Sequence, residues 1–177
     1  MKTRFWIAFV FCCVGVLCGY TMHQHSFKET EFDSVFIFES GFPPDGPFPN
    51  ERKDVLGKTI DSANFKEKAF LTTEERTTLY DYLVADSSYK NGFAAICWEP
   101  HLGIYFLNKG KTVNYIEVCL DCNKLMSALK IKASEPYKLG KIYVPTGLTA
   151  KFRKFINSLL LKYKFEHTVN PDSPYDK

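Results

Sequence analysis

The chain has 177 residues, enough for one domain with a core of its own once a short terminal segment is set aside. Its formal net charge is +3, and two of the cations lie before residue 5; the near-neutral remainder excludes the strongly basic surface expected of a nucleic-acid-binding domain. The 16 Phe, 10 Tyr and 2 Trp are first of all material for a core and only second a ligand surface.

Lys2 and Arg4 open the chain, and an apolar run follows from Phe5 to about Tyr20. A basic start followed by a short apolar core is the layout of a signal peptide. The run of about 16 residues falls just short of the roughly 18–20 that span a bilayer. Residues 1–20 therefore read as a signal peptide or membrane anchor. The basic flank stays on the cytoplasmic side, so the remainder is expected in the periplasm, on the outer cell surface, or anchored at the membrane. Val16-Leu17-Cys18-Gly19 offers small residues for cleavage. Cys18 is the candidate for lipidation in a lipoprotein, although Leu17 stands where that processing favours a small side chain.

Residues 21–31 are polar and read as a tether, in which His23 and His25 suit a solvated stalk better than a metal site. Phe32 to Phe38 alternates loosely, as a strand does. Residues 41–50, GFPPDGPFPN, form a loop, because proline lacks a donor and glycine permits the turn. Val55 to Ile60 is expected to be a short strand. Its Gly57-Lys58-Thr59 resembles the end of a phosphate-binding loop, but Arg52 stands where that loop needs its first glycine, so nucleotide binding is rejected.

Thr72 starts a helix over about 73–85: its hydroxyl can cap the free amides and Glu75 completes a capping box. A three-stranded antiparallel meander is expected at about 93–119, with strands Phe93–Trp98, Gly103–Asn108 and Thr112–Cys119, on the strength of their β-branched and aromatic residues. Asn123 to Leu129 reads as a short helix and Ile142 to Val144 as a strand. A C-terminal amphipathic helix spans about 150–164, with Phe152, Phe155, Ile156, Leu159, Leu160 and Tyr163 on one stripe and Lys151, Arg153, Lys154 and Lys162 mainly outside it. The fold class is α+β. Residues 32–168 form one domain and 169–177 a flexible tail.

Three of the six cysteines fall in the N-terminal segment; Cys97, Cys119 and Cys122 follow it. The meander gathers Cys97, Glu99-Pro100-His101, Cys119 and Cys122 at one end of the sheet. Strands one and three of a meander lie about 10 Å apart, whereas a disulfide needs Cα atoms within about 7 Å. Cys97 and Cys119 are thereby kept apart, while Cys122 can pair with Cys97 or, locally, with Cys119. Three chemistries fit: a structural disulfide; zinc held by Cys97, His101, Cys119 and Cys122; and thiol redox at the C-x-x-C.

Cys97-Trp98-Glu99-Pro100, Gly103-Ile104 and Ile116-Glu117-Val118-Cys119-Leu120-Asp121-Cys122 together resemble the core of a family of small bacterial exported proteins and lipoproteins to which no activity is attached. The likeness covers about 30 residues. It implies export and the placement of the three cysteines. The family's arginine after the proline falls at His101 and its following histidine at Leu102, which counts against His101 as a built-in metal ligand.

No hydrolase, metalloprotease or nucleotide-binding signature is present. The expectation is an exported cell-envelope protein that binds a protein or small ligand, or has a structural part, with no catalytic residues and no cofactor. The alternative is a thiol-disulfide redox or zinc protein using Cys97, Cys119 and Cys122. A membrane partner enters through the N-terminal segment if that is retained or lipidated, and no nucleic-acid partner is expected.

Overall fold

A computed structural model of the chain describes residues 27–39, 51–65, 67–95, 98–169 and 173–176. Residues 1–20, expected to be a signal peptide or membrane anchor, with Cys18, most of the expected tether, the proline-rich stretch and Cys97, lie outside the described residues. Among the described residues, nine strands occur in chain order: β1 (Ser34–Glu39), β2 (Lys68–Phe70), β3 (Tyr89–Asn91), β4 (Leu102–Asn108), β5 (Lys111–Cys119), β6 (Lys124–Ser127), β7 (Tyr137–Leu139), β8 (Ile142–Val144) and β9 (Thr146–Leu148). Two α-helices accompany them, α1 (Thr73–Val84) and α2 (Ala150–Lys162). The architecture is α+β, built on a five-stranded antiparallel sheet in the order β2-β1-β4-β5-β6. Two small antiparallel pairs, β3 with β9 and β7 with β8, stand apart from it.

The sheet is larger than a three-stranded meander, and its order differs from the expected one. Residues 93–95 and 98–100 belong to no strand. The place beside β4 is taken by β1, which pairs from Ser34↔Leu107 to Glu39↔Leu102. Val35-Phe36-Ile37-Phe38 is an unbroken β-branched and aromatic run suited to a strand buried on both faces. The stretch before β4 ends in Pro100, which has no N–H to give a ladder. Two further expectations are corrected. Asn123 to Leu129 is mostly strand β6, because Asn123 adopts a left-handed conformation (φ 53°) that turns the chain straight back onto β5. Val55 to Ile60 is the end of a 3-10 helix and a turn at Gly57 (φ 76°), joined to β5 through a single bridge, Thr59↔Lys111.

Alternation in β1 explains the two-sided core. Val35 and Ile37 join Ile104, Phe106, Ile116 and Val118 under Leu79 and Leu83 of α1 and Phe152, Ile156, Leu159 and Leu160 of α2. Phe36 and Phe38 point the other way and meet Tyr115, Leu107 and the 51–65 segment through Val55, Leu56, Ile60 and Phe65. The Phe38 ring lies over Gly103, its strand partner, so closely that a Cβ there would fall 2.1 Å from the ring.

The capping box of α1 forms as its sequence dictates: the Thr72 hydroxyl accepts from the Glu75 amide at 3.3 Å, and the Glu75 carboxylate accepts from the Thr72 amide at 2.8 Å. The same carboxylate ties α1 to the end of α2 by accepting from Lys162 Nζ at 2.6 Å and the Tyr163 hydroxyl at 2.7 Å. Burial opposes its ionisation, but these bonds overcome burial and hold the acid down at about 2.

Two expectations at the ends of the domain are adjusted. Phe27, placed in the polar tether, is buried against Phe32, Tyr80 and Phe106. Ser173, placed in the flexible tail, is buried beneath α2.

Candidate functional site

The site forms where β5 turns into β6. Cys119 and Cys122 are joined by a disulfide, with Cα atoms 5.2 Å apart. This is the local pairing of the C-x-x-C. Both residues are buried, so the bond closes the hairpin from inside the core. A disulfide leaves no thiolate for an ion, so Cys119 and Cys122 are withdrawn from the zinc arrangement over Cys97, His101, Cys119 and Cys122.

Asn123, Gly147 and Arg153 hold the corner in place. Asn123 uses its side-chain amide to donate to Phe93 O at 2.7 Å and to Leu148 O at 3.0 Å. Gly147, beside Leu148 in β9, lets that approach happen: a Cβ there would lie 2.4 Å from Phe93 O and 2.6 Å from the Asn123 amide nitrogen. Arg153 of α2 is 1% exposed. It donates to the carbonyl of Leu120, to Asn123 Oδ1 at 3.2 Å and to Ser173 Oγ at 3.1 Å, and its guanidinium lies over the Tyr175 ring. The sequence pattern puts Arg153 mainly outside the apolar stripe. It sits instead three residues before Ile156 and seven before Leu160, on the border of that stripe, and the corner supplies acceptors that let it be buried.

Removing the disulfide with Cys119→Ala/Cys122→Ala is expected to cost about 2 kcal/mol, the loop-closure value for so short a loop. Urea unfolding of the variant and of the reduced wild-type protein checks this. Equal stability before and after reduction would contradict it.

Asp121 lies inside the disulfide loop and points outward, half exposed. His101, whose amide donates to Val118 O at 3.2 Å, brings its Nε2 to 4.0 Å from Asp121 Oδ2. His167 brings its Nε2 to 3.4 Å from the same oxygen. The two imidazoles stack with centroids 3.6 Å apart and planes 16° from parallel. Burial and the neighbouring His167 push the His101 pKa down, against the pull of Asp121 and Glu99. Of the sequence-predicted site residues, then, the structure brings His101, Cys119 and Cys122 to one corner. Asp121 and His167 had no signal of their own in the sequence: nothing local ties a histidine just past α2 to a loop more than forty residues earlier.

Compared with known proteins, the chain matches no family model, no curated protein and no solved structure.

A second buried polar group lies on the opposite face of the sheet. Arg52 Nε donates to Glu117 Oε2, and the Tyr115 hydroxyl donates to Glu117 Oε1 at 3.1 Å. Trp98 stacks near this pair, with the Arg52 guanidinium 5.5 Å and Lys124 Nζ 5.7 Å from its ring centre. Burial and the nearby Glu117 carboxylate raise the Tyr115 pKa far above the usual phenol range.

The last feature is the β7–β8 hairpin. Its register is Tyr137↔Val144, Lys138↔Tyr143 and Leu139↔Ile142, so Tyr137, Leu139, Ile142 and Val144 share one face and Lys138 and Tyr143 the other. Tyr137 is 49%, Leu139 59%, Ile142 66% and Tyr143 67% exposed. No helix among the described residues is long and apolar enough to cross a membrane.

Proposed function

We propose that this is an exported cell-envelope protein that acts by binding rather than by catalysis, and that the β7–β8 hairpin is its contact with an anionic bilayer surface. The observation that carries the binding reading is the apolar face of that hairpin, which is open to water. Large apolar side chains clustered in solvent mark an interaction surface. The cations around the hairpin select the partner. Lys138 and Lys141 lie in it and Lys132 just before it, while the acid in this stretch, Glu135, is paired with Lys130 at 2.6 Å. Each lysine near an anionic leaflet is worth about 1 kcal/mol, and tyrosines such as Tyr137 and Tyr143 favour the head-group region. The same positive charge opposes pairing of two copies through this face.

Export is supported by the basic start and apolar run of residues 1–20 and by a disulfide of the kind that persists in oxidising compartments. Burial of both sulfurs favours a brace over thiol-disulfide exchange, because an attacking thiolate needs access.

Limited trypsin digestion of the full chain tests the membrane contact. Cleavage after Lys138 and Lys141 is expected to slow at least tenfold in vesicles of equal parts phosphatidylcholine and phosphatidylglycerol, to be unchanged in pure phosphatidylcholine, and to lose its protection in Leu139→Asp/Ile142→Asp. The cleavage sites report the hairpin itself, whatever the N-terminal segment does. Equal cleavage with and without anionic vesicles overturns the reading, as does protection by self-association without lipid.

A further inference from the structure

We propose that His101, Asp121 and His167 form a binding site for a divalent transition-metal ion of the zinc type, separate from the cysteines and independent of the membrane contact. One ligand atom from each residue lies within 4.8 Å of the others. Around a tetrahedral zinc ion with bonds of about 2.0–2.1 Å, ligand atoms sit roughly 3.4 Å apart. The separation between His167 Nε2 and Asp121 Oδ2 is already 3.4 Å, and that between His101 Nε2 and the same oxygen is 4.0 Å. Two imidazole nitrogens and one carboxylate oxygen suit zinc and its first-row neighbours and suit magnesium or calcium poorly.

A second observation points the same way. His167 Nε2 is buried and has no hydrogen-bond partner among the described residues, despite its closeness to Asp121. A buried polar atom without a partner costs free energy and is uncommon in a folded chain. An ion between this nitrogen and the carboxylate would supply the missing partner.

The backbone segments carrying the three ligands are fixed independently. His101 is held by the hydrogen bond that its backbone amide donates to Val118 O. Asp121 is held by the disulfide on either side of it. His167 lies between Phe165, whose amide donates to Leu160 O at 2.9 Å, and Val169, whose amide donates to Asn157 Oδ1 at 2.9 Å. Only side-chain torsions remain to be set. The imidazoles are nearly parallel, so their lone pairs run side by side, and one ring turns about its Cβ–Cγ bond when both bind a single ion. Asp121 is half exposed, which leaves a coordination position open to water, the arrangement of zinc sites with three protein ligands. Glu99, two residues before His101, acts on it electrostatically and adds negative charge to the approach of a cation.

The probe is zinc itself. Titration of the chelator-treated full chain by calorimetry is expected to give one zinc per chain, and cobalt in its place is expected to give the visible absorption of a four-coordinate nitrogen–oxygen site. His167→Ala and Asp121→Asn are each expected to weaken binding at least tenfold. Asp121→Asn alters a half-exposed side chain and serves if His167→Ala does not fold. Zinc that binds with unchanged affinity in His101→Ala and Asp121→Asn, as it would at His23 and His25 or at Cys97, overturns the assignment. So does the absence of one-to-one binding in the wild-type chain.

Discussion

Replacing Arg153 by alanine is expected to lower the unfolding free energy by roughly 3–5 kcal/mol, as much as any single substitution considered. The guanidinium is fully buried and joins three segments: Leu120 O and Asn123 Oδ1 in the β5–β6 corner, its own helix, and Ser173 near the C-terminus. Alanine removes the donors, leaves the Leu120 carbonyl with the Asn123 amide at 3.2 Å and Asn123 Oδ1 without its guanidinium donor, and opens a cavity the size of the lost side chain. Hydrogen bonds to a charged donor are worth about 1.5–3 kcal/mol each, and stranded buried acceptors add their own cost. Lysine is expected to recover only part of this, because a single ammonium cannot reproduce the planar fork that reaches several acceptors. Urea unfolding followed by far-ultraviolet circular dichroism is the measurement. A midpoint shift at constant slope gives the loss directly, and a loss under about 1 kcal/mol would mean that Arg153 does not hold the corner.

Glu117→Leu is expected to cost about 3–5 kcal/mol by leaving the Arg52 guanidinium buried without its carboxylate. Both side chains are almost wholly excluded from solvent. The Coulombic attraction within the pair and its desolvation nearly cancel, so the pair itself adds little net stability; the penalty comes from breaking it on one side. The double variant Arg52→Met/Glu117→Leu is therefore expected to regain most of the loss. Recovery stops short of the wild-type value because the Tyr115 hydroxyl loses its acceptor, a cost of about 1 kcal/mol. A double-mutant cycle reads the coupling directly. If the two single losses simply add, Arg52 and Glu117 do not depend on each other, and the attachment of the 51–65 segment to the sheet must rest on its apolar contacts and on its hydrogen bonds to β5 around Thr112.

Features with a short-range cause were legible in the sequence. The Thr72–Glu75 capping box, the apolar stripe of α2, strands β4 and β5 and the proximity of Cys119 to Cys122 all follow from residues close together in the chain. Features set by distant partners were not. The ladder between β1 and β4 joins segments more than sixty residues apart, and nothing in Phe93–Trp98 said that a better strand from the N-terminal side would displace it. Lys124-Leu125-Met126 has fair helical propensity, but the left-handed Asn123 and the disulfide redirect it into β6, an instance of tertiary context overriding propensity. The candidate site divides in the same way. His101 and the cysteines were visible as a motif. His167 was not, because a lone histidine in a C-terminal segment carries no mark of what it will face.

The position of β1 in the chain has a consequence in time. Val35-Phe36-Ile37-Phe38 becomes the buried neighbour of β4, yet it precedes β4 by more than sixty residues. A chain delivered from its N-terminus first presents this four-residue apolar segment long before the strand that will cover it exists. Pairings this far apart are slow to form, and an unpaired strand of such composition is prone to join another chain instead. The yield of folded protein is thus governed early, by how well Val35–Phe38 is shielded during the wait, and only later by the stability of the finished sheet.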